Sequence, residues 1–344
     1  MKWVNDLSSL AVKYRPHCWD DIIGQDVIVE ILKTQILKNS IKNTYIFSGA
    51  SGCGKTTAAR IFANSINNNQ GSPIEIDGAS NNGVDNVKQI ISEASHRSLD
   101  SVYKVYIIDE AHMLTTQAWN AFLKTIEESP KYTVFIFCTT EQQKIPDTIK
   151  NRCMRFNFTR IKPDLIYSRL EQICKNENIE FDSEVLDYIS RISHGEMRNA
   201  ISKLETCIGY SKKLTIENVL EALGNYSYDD YFDLINAVVD GDFIKCNTII
   251  SSIYTSGIDM KVFIIDFLSF VLDIMKYSFN KDIKCTRLPN NYIDKLNFSI
   301  GFDSSSKYYS YYVDKLLELK NMIKTDIEPY QTILVMFNRM CKLV

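Results

Sequence analysis

The sequence has no paired cysteines, no long apolar run and no surplus of positive charge. Its nine cysteines stand singly at positions 18, 53, 138, 153, 174, 207, 246, 285 and 341. Without a C-x-x-C pair there is no spacing for a zinc ribbon or a thioredoxin-type motif, so no zinc is expected. The odd, scattered set reads as reduced thiols of a cytoplasmic protein. No stretch reaches the ~18 apolar residues of a membrane span, so no membrane partner is expected. Lys2 is followed by Asn5, Asp6, Ser8 and Ser9 rather than by an apolar core, so no secretory signal is expected either. Lys and Arg number 39 against 42 Asp and Glu, a formal net charge of −3, so any contact with nucleic acid must come from a local basic patch. Internal repeats and low-complexity tracts are also missing.

What is present begins with a soluble, globular composition, 45% hydrophobic and 24% charged, over a length of 344 residues that suits two or three domains. One stretch organises the rest. Residues 44–48 are apolar and β-prone, Gly49 to Thr56 spell G-x-x-x-x-G-K-T, and a helical stripe of Ala58, Ala59, Phe62 and Ile66 follows. Strand, glycine loop and helix form the context a phosphate-binding loop requires. Glycines let successive N–H groups turn inward, and the helix N-terminus adds its positive end. Lys55 can reach the β- and γ-phosphates of a nucleotide, and the Thr56 hydroxyl can bind Mg²⁺. Cys53, inside this loop, reads as a tolerated loop residue.

Further elements fall in order around it. Pro16 imposes an extended entry, and a helix is expected over 25–39 with Ile28, Ile31, Leu32 and Ile36 on one face. Ile74–Asp77 reads as a strand, with a helix starting near Asp85 as its N-cap. The strand Val102–Asp109 ends in Asp109-Glu110, where Asp109 would hold Mg²⁺ and Glu110 would orient and polarise the attacking water. Thr115 or Thr116 can cap a helix whose Trp119, Phe122, Leu123 and Ile126 form a core stripe. A buried strand from Thr133 to Cys138 ends at Thr139-Thr140, the edge of a parallel sheet where ligands sit. A short helix and a last strand, Met154–Phe158, complete an α/β region. Helices then follow at 163–176, 183–193, 196–209 and 216–223, and again at 228–239, 243–255, 259–279, 307–324 and 329–342, with a polar stretch over 280–306. Tyr308, Tyr309, Tyr311 and Tyr312, at helical spacing, read as bundle packing.

These residues resemble a known family: the clamp-loader ATPase subunits of the AAA+ superfamily, in particular the bacterial DNA polymerase III gamma/tau family, with kinship to the small subunits of replication factor C. The resemblance rests on Lys13-Tyr14-Arg15-Pro16, Gly24-Gln25, the loop 49–56, the segment Glu75 to Asp85, Val105 to Leu114, Asn120 to Glu128, Thr139-Thr140-Glu141, Arg152-Cys153 and Gly195-Glu196-Met197-Arg198. It is dense over 11–160, recognisable to about 225 and architectural beyond. It implies an AAA+ parallel sheet with helices on both faces over 1–160, a helical lid over 161–224 and an all-α collar that carries the oligomer over 225–344. Val12, Arg15 and Ile23 would line an adenine pocket; Gly49, Gly52, Cys53, Gly54, Lys55, Thr56 and Thr57 would cradle the phosphates of ATP. Thr140 would be sensor 1 and Arg198 sensor 2. Arg152 would be an arginine finger reaching the ATP of a neighbouring subunit. Asn82, Lys88 and Thr115 would lie toward DNA.

Two departures stand out. The four-cysteine zinc module of the bacterial family is absent between Asn64 and Pro73, and its Ser-Arg-Cys reads Asn151-Arg152-Cys153. The implied function is ATP-driven placement of a sliding clamp on primer–template DNA, within a pentamer-like ring of clamp-loader subunits. The alternative is another AAA+ DNA motor such as a branch-migration helicase.

Overall fold

A computed structural model describes residues 9–223, 228–299 and 305–342, with side chains of the last stretch described from 309. The described chain divides into two compact units, one of residues up to 177 with 193–205, the other of 178–192 with the residues from 206 onward. The expected boundary at 224/225 lies outside the described residues, as does the side chain of Tyr308. The contact division instead runs through the 161–224 stretch.

The first unit opens with α1 (Leu10–Lys13), α2 (Asp26–Leu37), β1 (Thr44–Gly49) and α3 (Lys55–Ile66). There follow β2 (Ile74–Asp77), α4 (Val84–Ala94), β3 (Lys104–Asp109), α5 (Thr116–Glu127), β4 (Thr133–Thr139), α6 (Asp147–Lys150) and β5 (Met154–Phe158). The five strands make one sheet in the order β2-β3-β4-β1-β5, every neighbour parallel. Parallel pairing needs a crossover between strands, and the intervening helices supply it. The register sets Gly49 opposite Phe158 and Asp77 opposite Asp109. At Gly49 the two chains come so close that a Cβ would stand 2.2 Å from the Phe158 carbonyl oxygen. Only glycine fits there.

The pleat sends alternate side chains to opposite faces. Tyr45, Phe47, Val105, Ile107 and Ile136 pack with Leu32 of α2 and Ala58, Ala59 and Phe62 of α3. Ile46, Tyr106, Ile108, Phe135 and Phe137 pack with Val87 of α4 and Trp119 and Phe122 of α5. A sheet covered on both faces explains why β4 is buried at all seven positions and reads as a continuous apolar run. Between Asn64 and Pro73, α3 runs into a tight turn. Asn68 and Asn69 adopt positive φ, and buried Asn67 exchanges two hydrogen bonds with the backbone of Tyr103.

Past β5 come α7 (Pro163–Glu177), β6 (Glu180–Phe181), α8 (Ser183–Ile192), α9 (Met197–Tyr210), β7 (Lys213–Leu214) and α10 (Ile216–Ala222). The β6–β7 pair corrects the expectation that strands stop at Phe158. Two residues each are too few to show a period in sequence. Then come α11 (Tyr228–Val239), α12 (Phe243–Thr255), α13 (Met260–Asn280), α14 (Ile293–Ser299), α15 (Ser305–Met322) and α16 (Pro329–Cys341). α14 was not expected in the polar 280–306 stretch; seven residues with Leu296 buried suffice to seat it. The second unit's core gathers Phe263, Phe267 and Phe270 of α13 with Phe232, Phe337, Tyr309 and Tyr312, so the described tyrosines at 309 and 312 are packing residues. The capping expectation at α5 is met by Thr115, which accepts from Ala118 N, and Thr215 caps α10 in the same way, accepting from Asn218 N. At α4 the N-cap is Gly83, and Asp85 lies in the first turn, where its charge still favours the helix dipole.

Candidate nucleotide-binding site

The loop between β1 and α3 is shaped by its glycines. Gly52 and Gly54 hold φ of 65° and 101°, a region other residues enter only with strain. Gly54 then serves as N-cap, so α3 starts at Lys55 and its first N–H groups, which have no intrahelical partner, face the loop. Lys55 is buried, and its Nζ donates to the carbonyls of Gly49 (3.0 Å) and Ala50 (2.9 Å). Cys53 Sγ donates to Ala50 O at 2.9 Å, and burial pushes its thiol up. It is a structural residue of the loop.

β3 delivers the acidic pair. Thr56 Oγ1 donates to Asp109 Oδ2 at 2.9 Å, and Asp109 Oδ1 accepts from Glu110 N at 3.0 Å. Glu110 sits at φ 45° and ψ 42°, a left-handed conformation that costs a non-glycine residue about 1–3 kcal/mol and clusters at functional sites. That backbone turn carries its side chain to the cleft. Thr140, just past β4, donates from Oγ1 to Glu110 Oε2 at 3.3 Å. His112 lies between two carboxylates, Nδ1 3.3 Å from Glu110 Oε2 and Nε2 3.4 Å from Glu141 Oε1.

α9 reaches the loop from the far side in sequence. A turn at His194 and Gly195, both at positive φ, redirects the chain, and Met197 N donates to Gly52 O at 3.1 Å. That bond sets Arg198 beside the glycine loop. Gln25, whose role sequence reasoning missed, is buried and clamps the loop to the end of β5 through Cys53 O and Thr159 O.

These elements enclose a cavity of about 250 Å³. Of the residues expected at the site, Val12, Arg15, Ile23, Gly52, Cys53, Gly54, Lys55, Thr56, Thr57, Asp109, Glu110 and Arg198 line it. Gly49 is joined to it through Lys55, and Thr140 through Glu110. Arg152 does not line it. It is 41% exposed, ion-paired with Glu127 of α5 at 2.6 Å and bonded to Thr148 O at 2.7 Å. Sequence reasoning missed Arg60, Arg169 and Ile201 on the wall. Helical spacing from Thr56 was the one signal for Arg60. Of the DNA-facing candidates, Thr115 spends its hydroxyl on the α5 cap, Asn82 O accepts from Thr115 N, and Lys88 stands 3.6 Å from Asp85.

The electrostatics suit a polyanion. Burial, and then the charges of Arg60 and Arg198, hold the Arg15 guanidinium below its usual range. Crowded cations of this kind are relieved by phosphate. Thr56 and Asp109 bring two hard oxygens together, the donor type Mg²⁺ prefers. Among the described residues no group of three or more His, Cys, Asp or Glu is placed to hold a metal ion.

A parallel sheet with a glycine loop after β1, an acidic pair after β3, a threonine after β4 and an arginine-bearing helix at the loop defines an AAA+ protein of the P-loop class. Thermotoga maritima RuvB, a Holliday junction branch migration motor, matches at a TM-score of 0.53 over 65% of this chain and 79% of that one; at 17% identity this is a likeness of fold. Family models match in succession: DNA polymerase III, delta subunit, over 74–162; RCF1/5-like, AAA+ ATPase lid domain, over 168–208; and DNA polymerase III subunits gamma and tau domain III, over 214–297. DNA polymerase III subunit gamma of Buchnera aphidicola subsp. Acyrthosiphon pisum is 33% identical over 287 residues, 77% of this chain and 80% of that protein. DNA polymerase III subunit gamma/tau of Mycoplasma genitalium is 33% identical over 333 residues, 90% of this chain and 55% of that one. DNA polymerase III subunit tau of Bacillus subtilis is 34% identical over 286 residues, 77% and 51%. The chain belongs to the DNA polymerase III gamma/tau family. It spans about half the length of the Mycoplasma and Bacillus relatives. No described helix is long and apolar enough to cross a membrane.

Proposed function

We propose that this chain is an ATP-hydrolysing clamp-loader subunit that works in a ring of several such subunits. The observation that supports it best is the convergence of Lys55, Thr56, Asp109, Glu110 and Arg198 on one cleft. The glycine loop and Lys55 bind the phosphates, exchanging the Gly49 and Ala50 carbonyls for phosphate oxygens. Thr56 and Asp109 would hold Mg²⁺, which when bound neutralises phosphate charge. Glu110 orients and polarises the attacking water, with Thr140 holding one carboxylate oxygen. Arg152, at the surface of its own chain, acts on the cleft of the next subunit.

ATP contacts Lys55 and Arg198 on one chain and Arg152 on its neighbour, and so favours the closed ring by differential binding. Primer–template DNA inside the ring biases the same closure. Its recognition rests on the phosphate backbone, so stimulation falls with salt and varies little with sequence. The test is steady-state ATP hydrolysis by the reconstituted assembly with a sliding clamp, with primed DNA, with both and with neither. The highest rate is expected with both, with clamps left on the DNA. Branch migration or strand separation in the absence of a clamp overturns the reading.

A further inference from the structure

Five cationic side chains line the cleft, Arg15, Lys55, Arg60, Arg169 and Arg198, and of the two with no expected role, Arg60 and Arg169, it is Arg60 that lies on the glycine-loop helix. α3 carries it four residues beyond Thr56, which sets both side chains on one face of the helix. Its Nη2 is bonded to Glu75 Oε2 on β2. Its Nε is buried and has no hydrogen-bond partner among the described residues. Nε and Nη2 form one edge of the guanidinium, so half of a two-pronged donor is engaged and half is not.

The engaged half is weakly held. Both side chains of the pair are about a third exposed, 35% for Arg60 and 37% for Glu75, and ion pairs open to water contribute little. A phosphate group offers that edge two oxygens and more charge, and paired N–H···O bonds from arginine to phosphate are among the stronger polar contacts. The empty Nε–H gives an incoming phosphate an advantage that Glu75 does not have.

We propose that Arg60 is a phosphate ligand of the nucleotide, kept on Glu75 while the cleft is empty and handed over when the nucleotide binds. Glu75 is then a competitor for Arg60, and its removal strengthens binding. The inference rests on the cleft being a nucleotide site.

The experiment is titration of the full chain with ATP, following the dissociation constant, for wild type, Arg60→Gln, Arg60→Lys, Glu75→Gln, the double variant Arg60→Gln with Glu75→Gln, and Lys55→Ala. Arg60→Gln is expected to weaken binding by about 10-fold, with Arg60→Lys between it and wild type, because lysine keeps the charge but not the edge. Glu75→Gln is expected to tighten binding by about 3-fold, and the double variant to match Arg60→Gln alone. If instead Arg60 is a strut between α3 and β2, Arg60→Gln and Glu75→Gln lower the thermal midpoint of the nucleotide-free protein alike and leave the dissociation constant within about 2-fold of wild type; that result overturns the proposal. Should Arg60→Gln fail to fold, Arg60→Lys and Glu75→Gln decide by the same readout. Loss of binding in Lys55→Ala but not in the Arg60 variants removes Arg60 alone, whereas full binding in Lys55→Ala removes the nucleotide site itself.

Discussion

Lys55 and Glu110 share one cleft but carry separable work. Lys55 Nζ rests on two carbonyls, which in the proposed function give way to phosphate oxygens, so Lys55→Ala would remove a charge-assisted contact. Hydrogen bonds to charged groups contribute about 1.5–3 kcal/mol, so a loss of ATP affinity of about 10- to 100-fold is expected, with circular dichroism unchanged. Glu110→Gln keeps the shape and loses the carboxylate to which the proposed function assigns the attacking water. ATP binding is expected to persist while turnover drops by about 10²- to 10⁴-fold, measured as phosphate release. The cysteines also divide by environment. Cys18 and Cys285 are exposed, whereas burial pushes the Cys53, Cys153, Cys174 and Cys246 thiols up. A thiolate is the reacting form, so an aromatic disulfide reagent at pH 8 is expected to modify two thiols quickly and the others only as the chain unfolds.

Helix α5 and the turn after α6 show how whole elements serve the site. Phe122 of α5 is fully buried, 5.7 Å from the Phe135 ring and 5.5 Å from the Phe137 ring, and so seats the helix on the sheet. Phe122→Ala is expected to cost about 3–5 kcal/mol in urea unfolding, through lost transfer energy and a residual cavity. The same helix presents Glu127 to Arg152. That pair is exposed and contributes little to stability. Arg152→Ala is therefore expected to leave the thermal midpoint and ATP affinity nearly unchanged. As a finger acting in trans, its loss is expected to slow hydrolysis by about 10³-fold, and full hydrolysis by purified monomers would sink that role.

Across the whole molecule, alkaline pH tests the two cores together. Burial raises Tyr45 and Tyr106 in the sheet unit, and Tyr309 in the helical unit, to about 12. An unfolded tyrosine titrates near pH 10, so each folded phenol keeps its proton longer than the unfolded one. The folded pKa is raised. The stability it contributes is therefore fully present below about pH 10 and is lost as pH rises through about 12. The urea midpoint is expected to fall across that window, and less steeply in Tyr45→Phe. A flat midpoint from pH 9 to 12 would contradict the burial of these phenols.

Local spacing was enough to reveal the loop 49–56, the acidic pair after β3, the five strands of the sheet and most helices, because each depends on neighbours in the chain. Glycine conformations, helix dipoles and apolar periods are properties of a dozen residues or fewer. The order β2-β3-β4-β1-β5, the close approach of Gly49 to Phe158, the clamp made by Gln25, and the β6–β7 pair depend on residues far apart in sequence. So does the half-used edge of Arg60, whose partner Glu75 lies on another element. Packing chose these partners, since a side chain's burial and the acceptors within its reach are settled only when separate segments meet.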